Sequence, residues 1–205
     1  MHISSLADDE YKKIVFGLNL EKLNCLKNGG FIFSAHFGNW DIVPRLFLFL
    51  NKKITIIYQN SGNHYIDTFI KNERGFIGAN LIAKGHAGTK DLIRAIRERD
   101  IIIVLLDQRD LQGIEVEFFS KKVMTSKAIA RLALQHNMPI VPVCTFRSKD
   151  KKSFDAVIED QLELPNTGDK EQDIYNIMLT INQTIEKWIR KDPAQWMWPC
   201  NRWSR

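Results

Sequence analysis

Cysteine is scarce. Cys25, Cys144 and Cys200 are the only three in 205 residues, and they lie far apart. None stands in a C-x2-C pair or at metal-ligand spacing from a histidine. That excludes a disulfide framework and a zinc-type site, and suits reduced thiols in a cytosol. Long apolar runs are missing too. No stretch reaches the ~18 apolar residues of a spanning helix. The longest candidates are IVPRLFLFL and IIIVLL, and Pro44 and Arg45 interrupt the first. The opening MHISSLADDEYKK has no apolar core of a secretion signal. Internal repeats and low-complexity tracts are also lacking. The chain as given is therefore not expected to cross a membrane, although it can lie on one.

What remains is a globular composition, 44% hydrophobic and 26% charged. That suits a single domain over 1–205 with a sizeable core, its first 17 residues carrying no assigned element. The net charge of +5 favours acidic partners. The basic residues are scattered, with neither an RNP-like aromatic strand nor a basic recognition helix, so nucleic acid is not expected among those partners.

Apolar spacing predicts alternating elements. Leucines at 20, 23 and 26 mark a short helix over 18–28, stopped by Gly29-Gly30. FIFSAH, 31–36, reads as a buried strand, and 40–50 as a helix apolar nearly all round. A strand follows at 53–59, a helix at 64–72, and a helix over 90–99 opened by Thr89. DIIIVLLDQ, 100–108, is the strongest strand, its unbroken run implying burial on both faces. A helix starts at Thr125 or Ser126, strands at 139–146 and 154–160 come next, and 171–190 carries a clean helical stripe. The alternation predicts an α/β fold, a central mostly parallel sheet flanked by helices. Active sites of such sheets lie at the carboxyl ends of the strands, where His36 and Asp107 both fall.

His36 closes the strand in SAHFGNWD, with Asp41 five positions on. A histidine accepts a proton near neutral pH. It works best when a carboxylate holds one ring nitrogen and the other faces the substrate. With Asp41 in a first helical turn and Gly38 permitting a tight bend, Asp41 can fold back on the imidazole. The H-x4-D spacing alone is common by chance; its position at a strand end strengthens it. Asp107 and Gln108 in LLDQR leave the next buried strand towards the same cleft, although polar residues at a strand exit are ordinary. EFFSKK, 117–122, fits either two core phenylalanines or a membrane interface with Lys121 and Lys122 beside it. The 44–50 segment is a second candidate for membrane contact.

Taken in order, GGFIFSAHFGNWD, YQNSGNHYID followed by Arg74-Gly75, LLDQ, FFSKKVMTSKAIARLA, MPIVPVCTFR and PAQWMWPCNRW resemble the bacterial lipid A biosynthesis acyltransferases of the lauroyl/myristoyl type. The likeness covers nearly all of 18–203. It implies a glycerophosphate-acyltransferase-like fold at the cytoplasmic face of the bacterial inner membrane, peripherally bound. It also implies transfer of an acyl chain from acyl carrier protein to a hydroxyl of a lipid A precursor, with no metal or organic cofactor. On this resemblance His36 is the general base and Asp41 its orienting acid. Asn39, Arg74, Asp107, Gln108, Arg109 and Lys121 are candidates for substrate contact, with Lys71 and Lys122 as further basic candidates. The Pro-Glu-Gly-Thr-Arg block of the glycerophosphate enzymes is not found.

Two departures stand out. Gln59 and Asn60 follow Tyr58 where the family usually has arginine and proline. Only 35 residues precede His36, so the usual N-terminal membrane anchor is expected to be absent. Two alternatives stay open: an acyltransferase for another glycolipid or phospholipid acceptor, and a truncated, inactive lipid- or carrier-binding remnant.

Overall fold

The computed structural model describes residues 15–17, 19–50, 52–59, 62–75, 78–150, 152–200 and 202–203. Among them are nine strands: β1 Val15–Phe16, β2 Gly30–Ser34, β3 Ile54–Tyr58, β4 Asn80–Ala83, β5 Ile101–Leu105, β6 Ile114–Phe118, β7 Lys121–Thr125, β8 Ile140–Arg147 and β9 Phe154–Ile158. The α-helices are α1 His64–Gly75, α2 Thr89–Arg97, α3 Ala128–His136 and α4 Lys170–Lys191. Leu20–Asn28 and Trp40–Leu50 are 3-10 helices.

Seven strands form one sheet in the order β1-β9-β8-β2-β5-β3-β4. Every pairing in it is parallel except the antiparallel β8–β9. The expected mostly parallel α/β sheet is therefore what the chain forms. β6 and β7 make a separate two-stranded hairpin. The sequence reading left β1, β4 and this hairpin without strands. Each is short, although in β6 the alternation of Ile114, Val116 and Phe118 with the exposed Glu115 and Glu117 is the period-2 pattern of a half-buried strand.

Side chains alternate across a strand, and β2 divides its residues accordingly. Phe31 and Phe33 join a core with α3 and α4, where Phe33 meets Trp188 at 5.7 Å between ring centroids. Ile32 joins the opposite core, with Leu23, Leu26, Ile42, Val43, Leu46 and Phe47 from the two long 3-10 helices. Both faces of the central strands are thus covered, as their continuous apolar runs require.

This packing corrects the two candidates for membrane contact. Ile42 through Phe47 are buried, so that part of the 40–50 segment is core; the side chains of residues 48–50 lie outside the described residues. Phe118 is 0% exposed and Phe119 packs half-buried against the same core. Among the described residues no helix is long and apolar enough to cross a membrane. Cys25 and Cys144 are free thiols, and burial raises the pKa of both.

Candidate active site

Parallel pairing sets the geometry. Ser34 of β2 lies opposite Leu105 of β5. Two residues beyond those partners come His36 and Asp107, so equal register delivers both side chains to one point at the carboxyl edge. There His36 Nδ1 lies 2.8 Å from Asp107 Oδ1, and the His36 amide N–H donates to Asp107 Oδ2 at 2.9 Å. The imidazole side chain is 14% exposed and the carboxylate 0%.

The carboxylate takes one more donor. The indole N–H of Trp196 reaches Asp107 Oδ2 at 2.9 Å. Burial on its own would raise the Asp107 carboxyl. The His36 ring, the Trp196 indole and the His36 amide outweigh it and hold the carboxyl below the usual carboxylate range. Asp107 is therefore an anion at neutral pH. An anion opposite Nδ1 selects the tautomer with hydrogen on Nδ1, which leaves the basic lone pair on Nε2.

The turn after His36 is built to hold this pose. Gly38 has φ 58°, and a Cβ there would collide with the Thr145 carbonyl oxygen. The Asn39 carbonyl accepts from Thr145 Oγ1 at 2.9 Å and from the Ile42 N–H at 3.1 Å. Trp40 presents its ring to the imidazole edge-on, with centroids 5.1 Å apart. From the other side comes the C-terminal segment. Phe37 bridges Trp196, the Gly38 N–H donates to the Gln195 carbonyl at 2.9 Å, and the Met197 N–H donates to the His36 carbonyl at 2.9 Å.

Arg202, buried at 1% exposure, reaches the loop just past Asp107. Its guanidinium donates to the carbonyl of Gln108 at 2.6 Å, to Thr125 Oγ1 at 2.8 Å and to Asn182 Oδ1 at 3.0 Å. Lys84, just past β4, pairs with Asp110 at 3.1 Å, which brings a cation to the same edge.

The sequence candidates thus separate. His36 and Asp107 are joined, and Asp107, expected to meet substrate, is the residue on Nδ1. Asp41 lies in the first turn of the Trp40–Leu50 helix, exposed. Asn39 contributes its backbone carbonyl to the turn. Gln108 contributes its carbonyl to Arg202 and leaves its side chain exposed, with Arg109 half-buried next to it. Lys121 is exposed on the hairpin, opposite Phe118, and Lys122 is exposed opposite Glu117. The side chains of Arg74 and Lys71 lie outside the described residues. Trp196, Arg202 and Lys84 had no role in the sequence reading. The first two stood in its QWMWPCNRW stretch, but nothing local says which strand end they would reach. Among the described residues no group of three or more His, Cys, Asp or Glu side chains could hold a metal ion.

A family model described as bacterial lipid A biosynthesis acyltransferase matches residues 1–205. No curated protein matches the chain.

Proposed function

The chain belongs to the bacterial lipid A biosynthesis acyltransferase family, and we propose that it moves a fatty acyl chain from acyl carrier protein to a hydroxyl of a lipid A precursor, with His36 as the general base. The carrying observation is the buried, doubly held Asp107 on His36 Nδ1 at the carboxyl edge of the sheet.

The chemistry follows from that pair. His36 Nε2 takes the proton of the acceptor hydroxyl, and the oxygen attacks the carbonyl carbon of the thioester. The tetrahedral intermediate collapses with cleavage of the C–S bond, and the imidazolium returns the proton to the departing thiolate. The Asp107 anion stabilises the imidazolium formed in between, as buried carboxylates do in triads. General-base assistance of this kind is worth roughly 10²–10⁴ in rate.

Asp41 keeps the role of orienting acid on the resemblance alone, and Asp107 has it on the geometry. Replacement of each by asparagine separates them: the acid that supports the base loses kcat, and one that only meets substrate loses KM. Gln59, exposed just past β3, is a neutral amide, so charge stabilisation of the oxyanion falls to cations elsewhere. Lys84 and Arg109 leave the neighbouring strands β4 and β5 at the same edge and serve this role in our reading, together with binding of the acceptor phosphates. The net charge of +5 suits both an acidic carrier and an anionic lipid surface; a peripheral position on the cytoplasmic face of the inner membrane is part of this proposal and rests on the resemblance.

The test is acyl transfer from acyl carrier protein to an under-acylated lipid A precursor, read by mass spectrometry in the parent and in His36→Ala. One added acyl chain, lost in the variant, is the expected result. Equal transfer by His36→Ala removes the mechanism. Transfer only to other glycolipids or phospholipids replaces the acceptor. Binding of carrier or lipid without transfer by the folded parent replaces the enzyme reading with a binding remnant.

A further inference from the structure

We infer that Trp196 is a positioning residue for acyl transfer: its indole N–H fixes the carboxylate of Asp107 and, through it, the imidazole of His36. The inference rests on His36 being the base.

A carboxylate with one bonded oxygen can still swing about its Cβ–Cγ bond. Asp107 has no such freedom, because Oδ2 receives two N–H groups from different parts of the chain. One is the His36 amide and the other the Trp196 indole, each at 2.9 Å. With Oδ2 pinned from two directions, the carboxylate plane is set and Oδ1 is aimed at Nδ1, 2.8 Å away. Both added bonds are charge-assisted and sit where water is excluded, which makes them stronger than the same bonds at a surface.

Trp196 is itself held by the residues it serves. Its backbone bridges Phe37, and in the flanking bonds the Gly38 N–H donates to the Gln195 carbonyl and the Met197 N–H to the His36 carbonyl. Histidine and indole therefore share one short ladder, and a shift of either moves the other. The Trp196 ring, 3% exposed, is wedged against Trp198, Trp203 and Phe118 at centroid distances of 4.7, 5.7 and 6.0 Å. Arg202, from the same terminal segment, ties down the carbonyl of Gln108 immediately after Asp107. The acid is thus fixed from both sides by residues that lie about ninety positions later in the chain.

Trp196 as a mere space-filling aromatic makes a different prediction, since phenylalanine would then replace it with only a packing loss. Trp196→Phe, Asp107→Asn and the double variant are compared in the full-length chain. We expect Trp196→Phe to lower kcat about 10- to 100-fold with KM changed less than twofold, as loss of a partner behind a functional side chain does. The double variant falls no further than Asp107→Asn, because a residue acting through Asp107 has nothing left to act through. Losses that multiply overturn the proposal.

Nuclear magnetic resonance supplies a readout free of activity. The imidazole ¹⁵N signals of His36 should move in Trp196→Phe, and unchanged signals overturn the proposal even if the parent transfers no acyl chain. Should Trp196→Phe fail to fold, the indole N–H signal of Trp196 is followed in Asp107→Asn instead. A shift supports the link, and an unmoved signal refutes it.

Discussion

Asp107 is the residue on which most of the site's electrostatics converge. Its carboxyl is held below the ordinary range in the folded chain, chiefly by His36 against the opposing effect of burial. A depressed folded pKa adds stability above the unfolded value of about 3.9 and loses it as pH falls through the folded value. Asp107→Asn should therefore be less stable than the parent at neutral pH by about 1–3 kcal/mol, the cost of spoiling charge-assisted bonds in a buried site. The gap should begin to narrow as the pH drops below about 4, where the unfolded chain's carboxyl takes up its proton, and close as the pH passes the lower value of the folded carboxyl. Urea unfolding of both proteins between pH 7 and 3 measures this; a constant gap contradicts the assignment. Gly38 offers a second residue-scale test. Its φ of 58° and the absence of room for a Cβ beside Thr145 mean that Gly38→Ala must displace the turn carrying His36. We expect a loss of about 1–3 kcal/mol together with most of the activity, measured by thermal unfolding and acyl transfer. At this scale the sequence spoke clearly for His36, a histidine at the end of a buried run. It could not rank Asp107 above Asp41 as its partner, because His36 and Asp107 stand 71 positions apart and meet only through strand register.

Elements were legible where an apolar period was long. The stripe of α4 gives Ile174, Ile177, Met178, Ile181, Ile185, Trp188 and Ile189 as buried positions, and its Asp169 cap accepts from the Glu171 and Gln172 amides. The hairpin β6–β7 carries a period-2 signal in Ile114, Val116 and Phe118, but its place against α4 was not legible, because what secures it is tertiary. Asn182 interrupts the α4 stripe with a buried amide that donates to the Glu117 carbonyl at 2.9 Å and accepts from Arg202 at 3.0 Å. One side chain thereby joins the helix, the hairpin and the C-terminal segment. Asn182→Leu is close in size and apolar, and a sequence pattern would favour it. We expect it instead to destabilise the chain by about 1–3 kcal/mol, since it strands a carbonyl and part of a buried guanidinium. Chemical denaturation settles the sign.

At the scale of the whole molecule, four of the seven large apolar side chains exposed among the described residues lie on segments at the edge that carries His36, the others being Phe16, Leu20 and Ile93. Tyr65 and Phe69 are exposed in the first half of α1, which leaves β3; Leu111 follows β5, and Trp198 follows the Met197 amide that bonds His36. The sequence reading sought membrane contact at 44–50 and at Phe118-Phe119, and the described side chains of 44–47 and Phe118 are buried instead. A lipid acceptor must reach His36 with its acyl chains still in the bilayer, so this edge is where the chain should meet a membrane. The triple variant Phe69→Ser, Leu111→Ser and Trp198→Ser is expected to lose binding to anionic vesicles in a flotation assay at least tenfold. By contrast Phe16→Ser, an exposed aromatic on the edge strand β1, should float like the parent. High salt should weaken the parent's binding only in part, because apolar insertion is not screened while the contribution of net charge is. Full release of the parent by salt, or equal flotation of the triple variant, would turn this edge away from the membrane and require the acceptor to be delivered by another route.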